Sequence, residues 1–262
     1  MRVQELFDLT GRVAVVTGGG THLGKAMATA LGELGAAVYI ASRREALCLE
    51  VADQLRAGGI DCTGAGCDVT DQGQVDGLVE RVVRERGRLD VMVCNAGGSF
   101  TTTYPPYGDV EELRRTLELN VVGTYNCAQA AARVMIPQGG GSIITVGSIH
   151  GFMTTDPRFY EGLDFNRSGP PYQAAKGAVV NLTRALAAEL GEHGITVNCI
   201  SPGQIPTDET DPGFVERCRA RNALRRTGRP DDLKGVVALL ASPAGGWITG
   251  QNLVVDGGWS IW

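Results

Sequence analysis

The stretch that most constrains this chain lies near its start. RVAVVTG (12–18) is a short, β-branched apolar run ending in glycines, and KAMATALGELGA (25–36) follows it with helical spacing. Together they predict a strand, a glycine turn and a helix. The run is apolar throughout rather than alternating, as a strand covered on both faces must be. The pattern then recurs. AVYIAS (37–42), CTGAGCDVTD (62–71), LDVMVCNAGG (89–98), GSIITVGS (141–148), ITVNCISPG (195–203) and QNLVVDGG (251–258) predict six more strands. Helical spacing between them predicts helices over 45–59, 74–87, 109–135, 173–194 and 231–242.

Seven apolar strands alternating with helices define an α/β fold. The expectation is a Rossmann-type, doubly wound, seven-stranded parallel sheet with helices on both faces. The 262 residues show no linker-like change of composition, no internal repeat and no low-complexity tract. They are therefore read as one domain, 1–262, with a pocket-forming insertion near 150–171 and a lid near 204–227.

Composition narrows the function classes. A formal net charge of −5 argues against a broad nucleic-acid face. The start carries no basic-apolar signal segment, and no apolar run has membrane-spanning length, so a cytoplasmic protein without membrane contact is expected. Cys48, Cys62, Cys67, Cys94, Cys127, Cys199 and Cys218 are scattered, odd in number and free of CxxC, as reduced thiols would be. His22, His150 and His193 are far apart, and no metal site is expected.

The glycine turn is TGGGTHLG (17–24). A turn between a strand end and a helix start aims backbone N–H groups and the helix dipole at an anion such as a pyrophosphate. Glycines also serve ordinary turns, so the turn alone is a weak signal.

Other motifs add to it. Asn95, Ala96 and Gly97 follow the fourth strand, and Asn120 lies in the next helix. Ser148 ends the fifth strand, Tyr172 and Lys176 form YxxxK, and Pro202, Gly203 and Thr207 follow the sixth. With Thr17, Gly18, Leu23 and Gly24, this order and spacing resemble the short-chain dehydrogenase/reductase family over essentially the whole chain. Within that family, LFDLTGRVAVVTG and LVVDGGWSIW look most like gluconate 5-dehydrogenase-like members.

The resemblance implies a nicotinamide cofactor held by Gly18, Gly20, Thr21, His22 and Leu23. Ser42, Arg43, Arg44, Asp68 and Val69 would hold its adenosine end; Asn95, Ala96, Gly97, Tyr172, Lys176, Pro202, Gly203, Ile205 and Thr207 would hold the rest. His22 departs from the family pattern, which has glycine there. Either the turn tolerates the side chain and the imidazole points outward, or His22 helps hold the nucleotide. The position about 20 residues past the turn is Ser42, followed by two arginines. An acid there would favour NAD(H), whereas a hydroxyl and a guanidinium suit a 2′-phosphate. NADP(H) is therefore expected over NAD(H), although Thr21 stands where NADP-using relatives often carry a basic residue.

Tyr172 and Lys176 are four apart and share a helix face. A lysine cation favours the phenolate of a tyrosine whose free pKa is near ~10. Ser148 would hydrogen-bond the substrate oxygen, and Asn120 would position Lys176 through water. The implied reaction is hydride transfer between the cofactor and a secondary alcohol or ketone, with Tyr172 as general acid/base. The segment between Ser148 and Tyr172 is longer than expected for the family. It carries His150, Met153, Asp156, Arg158, Phe159, Tyr160 and Asp164, a mixture suited to a small polar substrate such as a sugar acid, polyol or ketone. Of these, Ser148, His150, Met153, Phe159 and Tyr160 are the candidate substrate contacts.

Arg217, Arg219, Arg221, Arg225 and Arg226 make the lid basic, either as a solvated face or as a partner for a substrate anion. The alternatives are a 3-oxoacyl thioester reductase whose lid meets an acidic carrier, and a non-catalytic cofactor-binding regulator. The resemblance also implies a homotetramer, with a dimer as the alternative, and the ending WSIW would expose both tryptophans of a monomer.

Overall fold

The computed structural model describes residues 1–154, 156–163 and 166–262. Asp164, one of the polar groups expected around the pocket, lies outside them. After a single helical turn α1 (Val3–Leu6), strands and helices alternate. They run β1 (Val13–Thr17), α2 (His22–Glu33), β2 (Ala37–Ser42), α3 (Glu45–Ala57), β3 (Cys62–Gly66), α4 (Gln72–Arg86) and β4 (Val91–Cys94). Then come α5 (Val110–Leu117), α6 (Gly123–Gln138), β5 (Gly141–Val146), α7 (Pro170–Leu190), β6 (Ile195–Pro202), α8 (Pro212–Arg221), α9 (Lys234–Ala241) and β7 (Asn252–Val255).

The sheet has the order β3-β2-β1-β4-β5-β6-β7 and every pair is parallel. Strand order reverses beside β1, which pairs with β2 on one side and β4 on the other. In an open parallel sheet that reversal leaves a crevice at the carboxyl ends of the strands. One core lies under α4, α6 and α7, and the other under α2, α3 and α9, so both faces are covered. This is the expected Rossmann architecture. All seven cysteines are buried and unpaired with one another, several acting as small apolar strand residues. Among the described residues no helix is long and apolar enough to cross a membrane, and no group of acidic, histidine or cysteine residues could hold a metal ion.

Several elements differ from expectation. The third and fourth strands stop at Gly66 and Cys94 because the chain beyond them turns into the crevice. The helix expected over 109–135 is interrupted by a π-turn, Glu118–Val122. The lid contains a true helix, α8, started by Asp211, whose carboxylate accepts from the Phe214 N–H, and by Pro212 in the first turn. Trp259 is buried within its own chain, with only Trp262 and Ile261 of the ending exposed, so WSIW does not present two bare tryptophans.

Candidate active site

The strand ends and the turns that follow them enclose a cleft of about 460 Å³. The glycine turn forms one wall. An added Cβ would press on Asn95 and Ala96 at Gly18, on Ile40 at Gly19, and on the Gly18 carbonyl at Gly24. Those three positions make the turn tight; position 22 is not among them. His22 nevertheless adopts φ +43°, one of two non-glycine residues with positive φ among those described. Its Nε2 lies 3.4 Å from the Pro206 carbonyl oxygen.

Thr17 was not foreseen as part of this wall. Its hydroxyl accepts from the N–H groups of Asn95 and Ala96. The Asn95 amide donates back to the carbonyls of Thr17 and Gly18 at 2.9 and 3.2 Å. These bonds fasten the end of β4 to the glycine turn and fix the crevice between them.

At the other end of the cleft lie Ser42, Arg43, Arg44, Asp68 and Val69. The Ser42 hydroxyl accepts from the Arg44 N–H, shaping the exit of β2. Arg43 is exposed and forms no ion pair with any described residue. Asp68 caps its own turn by accepting from the Thr70 N–H and hydroxyl. The cleft thus combines a tight backbone cradle at a helix N-terminus with a free guanidinium and no carboxylate at the end of β2. That donor set fits a nicotinamide dinucleotide.

Ser148, Tyr172 and Lys176 line the middle of the cleft. Pro170 and Pro171 begin α7, placing Tyr172 and Lys176 one turn apart on its inner face. Ser148 and Tyr172 border the same part of the cleft, and the Ser148 hydroxyl accepts from the His150 N–H at 3.2 Å. Lys176 is buried, and its ammonium donates to the Val146 carbonyl at 2.8 Å.

The electrostatics differ from the expected lowering of the tyrosine pKa by lysine. Burial pushes Tyr172 up, against the neighbouring Ser148 hydroxyl, and burial brings Lys176 down to about 8. Both charged forms are desolvated in the free protein, and the lysine's cation is directed at a carbonyl rather than at the phenol. Tyr172 keeps some surface exposure, but its hydroxyl sits in the desolvated interior.

Asn120 lies behind the cleft in the π-turn, a distortion often found at functional sites. Its amide donates to the carbonyls of Gly98 and Thr116, and its oxygen accepts from the Gly98 N–H. A Cβ on Gly97 would fall 2.6 Å from the Asn120 oxygen and 3.3 Å from the Lys176 ammonium. Asn120 therefore shapes the Gly97–Gly98 turn against Lys176.

Other expected residues sit elsewhere. Gly20 packs toward Leu47 and Cys48 rather than on the cleft. Ile205 rests on Gly228, and Thr207 forms an exposed turn with Thr210. Leu23, Gly24, Ala96, Gly97, Pro202 and Gly203 do line the cleft, as do Cys67, Gly98, Leu119, Val146 and Gly147, which carry no motif of their own. These last flank strand ends already identified, so position in the fold was their only signal.

The insertion and lid pack on each other. Phe159 stands edge-on to Trp259 at 5.3 Å and to Phe214 at 6.0 Å, with Met153 and Tyr160 against the same cluster. Arg217 donates from α8 to the carbonyls of Phe159 and Glu161. Met153, Phe159 and Tyr160 thus pack into a small core with α8 and Trp259 and do not line the cleft, unlike the substrate contacts expected of them. Arg219 and Arg226 pair with Glu216 and Asp232, and Arg221 covers the Trp259 ring. His150 remains beside the site, its ring edge-on to Tyr172 at 6.3 Å between centroids, and burial lowers its pKa to about 4.

Comparison with known proteins agrees with this geometry. A family model described as enoyl-(acyl carrier protein) reductase matches residues 20–260. A solved short-chain type dehydrogenase/reductase from Mycobacterium marinum is 38% identical, with a TM-score of 0.90 over 99% of each chain. A gluconate 5-dehydrogenase from Burkholderia cenocepacia J2315, solved with NADP and tartrate, is 31% identical, with a TM-score of 0.90 over 100% of each chain. A 7α-hydroxysteroid dehydrogenase solved with NADH and 7-oxo glycochenodeoxycholic acid is 30% identical, with a TM-score of 0.89 over 98% of each chain.

The fold and cleft are those of an oxidoreductase of the alcohol dehydrogenase and reductase class. The chain belongs to the short-chain dehydrogenase/reductase family.

Proposed function

We propose that this protein is an NADP(H)-preferring alcohol dehydrogenase or ketoreductase acting on a small polar substrate such as a sugar acid, polyol or ketone, and that it works as a homotetramer. The observation that carries the cofactor preference is the end of β2, where Ser42 and the unpaired Arg43 border the cleft. An arginine there offers two parallel N–H donors to a 2′-phosphate, and β2 ends in Ser42 rather than in a carboxylate. The NADP bound in the gluconate 5-dehydrogenase neighbour supports this reading, and so does tartrate, a small polyhydroxy acid. The NADH bound in the hydroxysteroid dehydrogenase marks the competing preference.

When bound, the nicotinamide supplies or accepts the hydride. The chain's own residues handle the oxygen. The Tyr172 hydroxyl holds the proton that a reduced carbonyl oxygen takes up, and its raised pKa keeps that proton in place at neutral pH. Ser148, which lines the cleft with Tyr172, donates to the same substrate oxygen as charge develops there. Lys176 orients the site from the Val146 carbonyl, and Asn120 holds the Gly97–Gly98 turn against it. His150 borders the substrate side.

Titration with NADPH and NADH, followed by nicotinamide fluorescence, tests the cofactor assignment. Wild type binds NADPH more tightly, and Arg43→Ala weakens NADPH by roughly 10- to 100-fold, the scale of a lost charge-assisted hydrogen bond, while sparing NADH. Tighter binding of NADH by the wild type would reject the preference. Turnover of sugar acids and polyols, with sedimentation of the active species, tests the rest.

A further inference from the structure

His22 carries a cost. A left-handed backbone is disfavoured at a non-glycine residue, and glycine would remove that penalty. Such strain persists only where the surroundings enforce it, and it concentrates at functional and switch positions. The local turn does not need a side chain here, since its tight contacts are made at Gly18, Gly19 and Gly24. What the side chain reaches is on the other side of the crevice.

With Nε2 protonated, the ring donates to the Pro206 carbonyl. Pro206 lies three residues beyond Gly203, which lines the opposite wall of the cleft, and His22 itself lines the near wall. The segment around Pro206 is anchored on its outer side. The Gly203 N–H donates to Val255, the Gln204 carbonyl accepts from the Gly228 N–H at 2.9 Å, and Ile205 rests on Gly228. The Thr207 N–H turns back to the Thr210 hydroxyl. His22 is the contact that ties this anchored segment to the glycine turn.

We propose that His22 is a clasp across the mouth of the nucleotide cleft, which must open for the cofactor to enter or leave. The proposal rests on the reading of the cleft as a nicotinamide-nucleotide site. It assigns the imidazole to the chain itself, as a gate, rather than to the nucleotide as a ligand. The two roles differ kinetically: a gate slows entry and exit together, whereas a ligand slows exit alone.

Stopped-flow NADPH binding and displacement would be measured on wild type, His22→Gly and His22→Asn. Asparagine tolerates the left-handed backbone but is too short to reach Pro206. Both variants are expected to speed association and dissociation together, by roughly three- to tenfold, the scale of one modest hydrogen bond. In the free protein, amide exchange across 203–210 should rise in both variants and stay unchanged in α4 and α9. Faster dissociation with unchanged association would overturn the clasp and make His22 a nucleotide ligand. Unchanged exchange across 203–210 would overturn it whether or not any nucleotide binds. If wild type bound neither NADPH nor NADH, the proposed function would fail, and the free-protein exchange would still decide the link between His22 and Pro206.

Discussion

The Lys176 ammonium lies 5.6 Å from the centre of the Tyr172 ring and donates to the Val146 carbonyl at 2.8 Å. The cation is near the phenol without being bonded to it, and burial brings its pKa down to about 8. The lysine is therefore charged below about pH 8 and neutral above it. Activity that depends on its charge falls as pH rises through that value. The pH profile of kcat/KM should show a descending limb near 8, and Lys176→Arg should move that limb upward, because a guanidinium stays charged. A limb that stays at the same pH in the variant would assign it to another group.

Tyr172→Phe removes the hydroxyl and leaves the ring. Turnover should fall by about 10²- to 10⁴-fold, the usual contribution of a positioned general acid. NADPH binding should persist, since the glycine turn and Arg43 are untouched. Equal losses of binding and turnover would point to a damaged cleft instead.

His150 is half-buried, and its desolvated ring favours the neutral imidazole. Desolvation lowers its pKa from 6.5 to about 4. Its folded pKa is thus below its unfolded value, and the unfolded chain binds the extra proton first. Stability should fall as pH drops from about 6.5 towards 4, by on the order of 2–3 kcal/mol in all. Urea unfolding at stepped pH should show this slope in wild type and a shallower one in His150→Asn. Parallel slopes would mean that other groups carry the acid sensitivity.

Arg217→Ala cuts both bonds from α8 to the insertion. KM for the substrate should rise several-fold while the affinity for NADPH stays the same, because the segment before α7 loosens and the nucleotide cleft does not. A matching loss of NADPH affinity would show that the lid also supports the nucleotide.

The sheet was legible because its strands are unbroken apolar runs between glycines, and so were the cleft residues at their ends. LDVMVCNAGG shows the limit. Its apolar half pairs in the sheet, but Asn95 leaves the ladder to bond Thr17 and Gly18, a partnership spanning 77 or more positions that no local pattern reveals. The helix α8 has a readable start in Asp211 and Pro212, but with only Phe214 and Cys218 buried its apolar stripe is too sparse to announce a helix. Met153, Phe159 and Tyr160 have the composition of substrate contacts. Their packing is decided by Phe214 and Trp259, which come from segments far along the chain. The ring of Trp259 likewise looked exposed until its partners were known.

The segment before α7, together with α8 and the chain end at Trp259, forms one packed body assembled from three separate stretches. Transplanting the insertion alone into a homologous scaffold would leave Phe159 without its tryptophan and Arg217 without its carbonyls. Redesign of this region has to exchange all three pieces together, while α7, which carries Tyr172 and Lys176, stays as it is.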